Sequence, residues 1–159
     1  MAYKWKDVWR GLILSEMVHA GRDTKLSLIE CGGTDSLQIM EVNADANLYF
    51  KHATPLKIGK KNRWQFVFNQ KNIAQIREIH AKKPVALALL CGPARFRPEK
   101  IETVFISPAD MPSHLKLDAD EQQIINVECR KGRYHVIGSS SFGTRPELLV
   151  KRNALRNWK

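Results

Sequence analysis

The sequence predicts a single α/β domain over residues 1–159, with a mixed sheet covered by two main helices. Three observations carry that expectation. Apolar residues recur at helical period from Trp5 to Ala20. Three short strand-like runs between residues 24 and 53 are joined by turn chemistry. A continuous apolar run, VALALLC (85–91), is bounded by Pro84 and Gly92-Pro93, as a fully buried central strand would be.

At about 100° per residue, Trp5, Val8, Trp9, Leu12, Ile13 and Met17 share one arc of the first helix. Gly21 supplies its stop signal. TKLSLIEC (24–31) reads as a strand, and Gly32-Gly33-Thr34 as a turn. Asp35 opens the next strand, DSLQIMEV (35–42). The 43–47 stretch is turn chemistry, and LYFKHA (48–53) completes an antiparallel meander. In that third strand Leu48, Phe50 and His52 take one face, and Tyr49, Lys51 and Ala53 the other. WQFVF (64–68) alternates as a short strand. Asn69 is placed to cap a helix over 70–82, whose stripe is Ile73, Ile76, Ile79 and His80. Residues 1–91 form this core, and residues 92–159 add further strands and a basic tail. IETVFIS (101–107) is a strand. Ser107-Pro108 resembles the N-cap and first-turn proline of a short helix near 108–116. QIINVEC and YHVIG flank Arg130-Lys131-Gly132-Arg133, a hairpin with a basic tip. The stretch from Phe142 holds either a helical turn or a strand.

The charge balance is the strongest global clue to function. Lys and Arg outnumber Asp and Glu by 26 to 16, a net charge of +10. The excess is uneven. Residues 51–83 hold nine cations against Glu78, and residues 130–159 hold eight against Glu147. Residues 99–128 hold seven acids against Lys100 and Lys116. Two basic blocks on one small domain fit a polyanion, and nucleic acid before an anionic membrane, because no basic amphipathic helix appears. The apolar runs are too short to span a bilayer, and MAYKWKDVW lacks a signal peptide's pattern, so the expected location is cytoplasmic. Cys31, Cys91 and Cys129 have no metal-knuckle spacing and are expected as buried free thiols. The five histidines lack metal-ligand spacing, and no phosphate-cradling or dinucleotide glycine motif is present.

One residue breaks the helical pattern. Glu16 falls inside the apolar arc of the first helix, between Trp9 and Leu12. A carboxylate facing a core needs a cation, a metal or hydrogen-bond donors. Lys51, in the apolar third strand, is the candidate partner. The alternative is a slightly rotated helix with Glu16 at the solvent edge.

With Glu16, Asp35 and Lys51 so placed, the chain resembles the PD-(D/E)XK nuclease superfamily, the restriction-endonuclease-like fold. The order helix–meander–helix–strand over roughly the first 91 residues carries the resemblance. Thr34-Asp35 stands where that family has Pro-Asp, Lys51 stands at its lysine, and Glu16 at the helical glutamate of many of its branches. The resemblance implies a catalytic set of Glu16, Asp35, Lys51 and Tyr49. It also implies a divalent cofactor, Mg²⁺ or Mn²⁺, held by Glu16 and Asp35. Such a metal would lower the pKa of a bound water and neutralise charge on a phosphate, with lysine stabilising the transition state. One position departs from the pattern. Two residues before Lys51 stands Tyr49, where the family has an acidic metal ligand. Tyr49 would then orient water or simply pack. Glu16 would have to replace the missing ligand, with Glu30 and Glu41 as substitutes. Otherwise the fold is a non-catalytic module for nucleic acid or a nucleoprotein.

Binding would fall to Lys57, Lys60, Lys61 and Arg63 in the loop after the third strand. Arg130, Lys131 and Arg133 at the hairpin, and Lys151, Arg152 and Arg156 in the tail, would extend it. Trp64, Phe66 and Phe68 beside the basic loop either stack bases or, at alternate strand positions, belong to the core. DNA is favoured over RNA as partner. An acidic protein partner or a second copy of the chain stays open.

Overall fold

Alternation in the third strand of the meander decides how the layers stack. The computed structural model describes residues 5–19, 26–28, 39–42, 46–56, 63–93, 95, 100–138, 147–152 and 154–158, with the backbone alone at 5, 6, 26–28 and 39–42. The first helix, α1, spans Trp5–His19, and the meander strands are β1 (Leu26–Leu28), β2 (Ile39–Val42) and β3 (Ala46–Ala53). β3 sends Leu48 and Phe50 to one face and Tyr49 to the other, all of them buried. Trp9, Ile13 and Met17, spaced four apart on α1, cover the Leu48–Phe50 face. Burial of Ile13 and Met17 contributes about 1.5–3 kcal/mol each, enough to hold this helix to the sheet.

The chain then runs through β4 (Arg63–Phe68), α2 (Gln70–Lys82), β5 (Val85–Cys91) and β6 (Glu102–Ile106). β5 is buried at every position, as the unbroken apolar run requires. It lies parallel to β3 and antiparallel to β6, giving a mixed sheet of order β1-β2-β3-β5-β6. α2 begins in a capping box. The Asn69 side chain accepts from Asn72 N at 2.8 Å, and Asn72 Oδ1 accepts from Asn69 N at 3.3 Å. His80 Nδ1 accepts from Val85 N and closes the turn into β5.

The remaining elements are α3 (Met111–His114), β7 (Gln123–Arg130), β8 (Arg133–Ile137) and β9 (Leu148–Val150). Here the architecture departs from a single sheet with extra strands. β4 leaves the meander and pairs with β7, so that β4-β7-β8-β9 is a second, antiparallel sheet. Its inner face, with Trp64, Phe66, Phe68, Ile125, Val127 and Tyr134, packs with α2 on the Tyr49 face of the first sheet. The alternating aromatics of β4 are therefore core. The short helix also differs from expectation. Ser107 Oγ accepts from Asp110 N at 3.2 Å and builds a turn, and the regular helix starts only at Met111. The 154–158 stretch is a turn, with Leu155 buried among the α1-side residues and Trp158 against Phe105, ring centroids 4.8 Å apart. Among the described residues no helix is long and apolar enough to cross a membrane.

Candidate functional site

The expected Glu16–Lys51 pair does not form, and strand periodicity explains why. α1 covers one face of the mixed sheet, whereas Lys51 shares the opposite face with Tyr49. Glu16 lies at the edge of α1 with its side chain 29% exposed, close to the solvent-edge alternative. Its partner comes from the other end of the chain. Arg156 Nε and Nη2 donate to the two Glu16 oxygens at 2.7 and 2.6 Å. This fork-on-carboxylate geometry occupies both oxygens. Lys51 instead donates to Asn72 Oδ1 at 3.0 Å, beside the N-terminus of α2, with its ammonium 5.3 Å from the centre of the Phe68 ring. Tyr49 is fully buried, 6.0 Å from Phe68 between ring centroids, so it packs and is not placed to orient water in an open site. Asp35, Glu30 and Glu41 lie outside the residues whose side chains are described.

Of the expected metal ligands, Glu16 is the one whose side chain is described, and it offers no free oxygen. A divalent metal needs free carboxylate oxygens, and a guanidinium sits on those of Glu16. Among the described residues no group of three His, Cys, Asp or Glu is arranged to hold a metal. Cys91 is buried as expected. Burial, then Glu102 and Cys129, push its thiol well above the usual range, which makes it an inert core residue. Cys129 is free and half-buried. Cys31 lies outside the described residues.

The basic residues divide into two groups. Lys57, Lys60 and Lys61 lie outside the described residues. Arg63, Arg130, Arg152 and Arg156 are all in ion pairs. Glu128, with its side chain 10% exposed, stands between Arg63 at 3.5 Å and Arg130 at 2.6 Å. Glu147 takes Arg130 at 3.4 Å and His135. Arg152 clasps Glu102 through two nitrogens, Nε at 2.9 Å, and the Tyr134 hydroxyl joins the pair. Burial, then Glu102, push the Tyr134 hydroxyl far above its ordinary pKa and keep it neutral. By contrast, Lys131, Arg133 and Lys151 are exposed, with no ion pair to a described residue. A cleft of roughly 300 Å³ lies between the two clasps, lined by Glu16, Ile101, Glu102, Thr103, Arg152, Leu155 and Arg156.

Sequence reasoning missed Asn72, Glu102, Glu128 and Glu147 as organisers of these cations. Glu128 carried a readable signal, since it stands two residues before Arg130 on the same face of a strand. The partners of Arg152 and Arg156 are 50 and 140 residues away and leave no local trace. No family model, curated protein or solved structure matches the chain. The functional reading therefore rests on the residues themselves.

Proposed function

We propose that this chain is a nucleic-acid-binding protein with a nuclease-like core, acting as a binding module and not through metal-dependent cleavage. One observation carries the reading. In a chain of net charge +10, Glu16, Glu102, Glu128 and Glu147 are all turned onto arginines of the same chain, while Lys131, Arg133 and Lys151 are exposed with no ion pair to a described residue. Acids held in internal pairs do not repel an incoming polyanion, and the unpaired cations attract it. The order α1, β1–β3, α2, β5, with β4 inserted before α2 and diverted to the second sheet, supports a restriction-endonuclease-like arrangement of the mixed sheet. The buried Tyr49 and the Arg156–Glu16 clasp favour binding over hydrolysis. DNA is favoured over RNA as the partner.

One feature favours phosphodiester hydrolysis as a second reading. Lys51 is only half-buried and stands beside the N-terminus of α2, where the helix dipole adds positive potential. The two readings separate in one experiment. Labelled double-stranded DNA, single-stranded DNA and RNA are incubated with wild type and Lys51→Ala, in Mg²⁺ or Mn²⁺ against EDTA. The binding reading expects retention on a filter and intact substrate in every lane. Metal-dependent cutting that disappears in Lys51→Ala would establish the second reading instead.

A further inference from the structure

Two unfavourable local choices coincide at the tip of the β7–β8 hairpin. The turn is Lys131-Gly132, with φ of 49° and 75°. Positive φ at both central residues is the type I′ pattern, for which Asn-Gly is the preferred sequence. Gly132 suits it. Lys131 does not, because a Cβ in the left-handed region meets its own backbone. It is the sole non-glycine with positive φ among the described residues. Next to it, Arg130 and Arg133 stand directly opposite each other in the β7–β8 register. Like charges facing across a strand pair repel. Glu128 and Glu147 relieve Arg130, but no described acid relieves Arg133.

The register adds a third cation. Tyr134 pairs with Val150, so continuing by one residue puts Lys151 opposite Arg133 on the neighbouring strand. Tyr134 and Val150 point into the core, so Arg133 and Lys151 point outward. Arg133 and Lys151 thus lie side by side on the outer face at one end of the second sheet, and the exposed Lys131 stands in the adjoining turn. Neighbouring strands are about 4.8 Å apart, which brings Arg133 and Lys151 close together. Where a sequence breaks local rules without local relief, function is the expected reason.

We propose that Lys131, Arg133 and Lys151 are the phosphate-contacting cations of this protein, and that it grips the nucleic-acid backbone without reading sequence. This rests on the nucleic-acid reading above and gives it a location, on the second sheet and not on the nuclease-like one. Two of the three are lysines, compact point charges on flexible stems, suited to phosphate and poor at the forked base contacts that arginine makes. The paired arginines, Arg63, Arg130, Arg152 and Arg156, are by the same reasoning structural.

The test is the salt dependence of binding to two short DNA duplexes of unrelated sequence, with phosphatidylserine vesicles as a second probe. The proteins are wild type, Lys131→Asn, Arg133→Ala/Lys151→Ala, and Arg156→Gln as a paired-arginine control. Each lost phosphate contact reduces the slope of log K against log salt by about 0.9. The double variant is expected to lose about two such steps, equally on both duplexes, while Arg156→Gln keeps the wild-type slope. Lys131→Asn is expected to lose about one step and to melt at a higher temperature, because it creates the preferred Asn-Gly turn. That opposite movement of binding and stability is a result a merely structural lysine would not give. If wild type binds but the double variant keeps its slope, the location is wrong. A loss confined to one duplex, a lowered melting temperature in Lys131→Asn, or tighter binding to vesicles than to DNA would also overturn the proposal. A wild type that binds neither duplex removes the nucleic-acid reading itself.

Discussion

Trp9 and His52 stack at 5.0 Å with their rings 14° from parallel, so one face of the imidazole is covered by the indole. Desolvation there, with the Lys51 charge next to it in sequence, lowers the His52 pKa below its ordinary value of about 6.5. The sign of the stability effect follows. Below about pH 6.5 the unfolded chain takes up a proton at His52 that the folded chain resists, so the unfolded state binds more protons. The contribution of His52 is therefore fully present above about pH 6.5 and is lost as pH falls through the lowered folded value. His52→Phe keeps a ring against Trp9 and removes the titration. Wild type is expected to lose stability relative to His52→Phe as pH is taken from about 7.5 to about 5, read by urea unfolding. Parallel stability curves over that window would show that covering one face of His52 by Trp9 has no energetic consequence. The facing of β3 was legible at this scale, since alternation alone put His52 opposite Lys51. Which of the two faces α1 would cover was not, because both carry large apolar residues.

At the scale of elements, three strands and a helix meet at Gly92. Its N–H donates to Ala53 O at 3.0 Å and ties the end of β5 to β3. Its carbonyl accepts from Trp64 Nε1 of β4 at 2.7 Å, joining the two sheets. On the other side, a Cβ built on Gly92 would lie 2.7 Å from the Trp9 ring of α1. That ring is buried and stiff, so it cannot yield without disturbing the helix. Gly92→Ala is accordingly expected to destabilise by about 1–3 kcal/mol, the usual cost of overpacking a core. A change in the urea midpoint at constant slope would measure it, and a neutral result would mean that Trp9 can swing aside. The sequence marked Gly92-Pro93 as the end of β5 and nothing more. It also delimited α1, α2, β5 and the 130–133 hairpin, since each depends on local periodicity or turn chemistry. It did not assign β4 to the second sheet. The alternation of Trp64, Phe66 and Phe68 identifies a buried face, but the choice of β7 as partner lies about 60 residues away and is made by register, not by composition.

For the whole molecule, the decisive feature is closure by the end of the chain. Lys151, Arg152 and Arg156 were expected to form a basic tail for nucleic acid, but Arg152 and Arg156 dock. Arg152 clasps Glu102 on β6, Arg156 clasps Glu16 on α1, and Trp158 lies against Phe105. Leu155 is 2% exposed and sits in the same cluster as Trp9, Ile13 and Met17. Arg152 and Arg156 thus tie this stretch to β6 and to α1. This also explains why Glu16, apparently misplaced on an apolar arc, is tolerated there. The clasps are partly exposed and the leucine is not, so the leucine is the better test of docking. Leu155→Ala leaves every charge of the tail in place and removes only buried apolar contacts. Docking predicts a loss of about 2–5 kcal/mol for the whole cooperative unit, as for other buried leucines cut back to alanine. A loosely attached arm would give a change within about 0.5 kcal/mol, the usual range for surface positions. The salt slope of DNA binding, measured where the variant remains folded, is expected to stay at the wild-type value, because the cations assigned to phosphate lie on the second sheet. A stable Leu155→Ala protein would return Arg152 and Arg156 to the candidate binding surface.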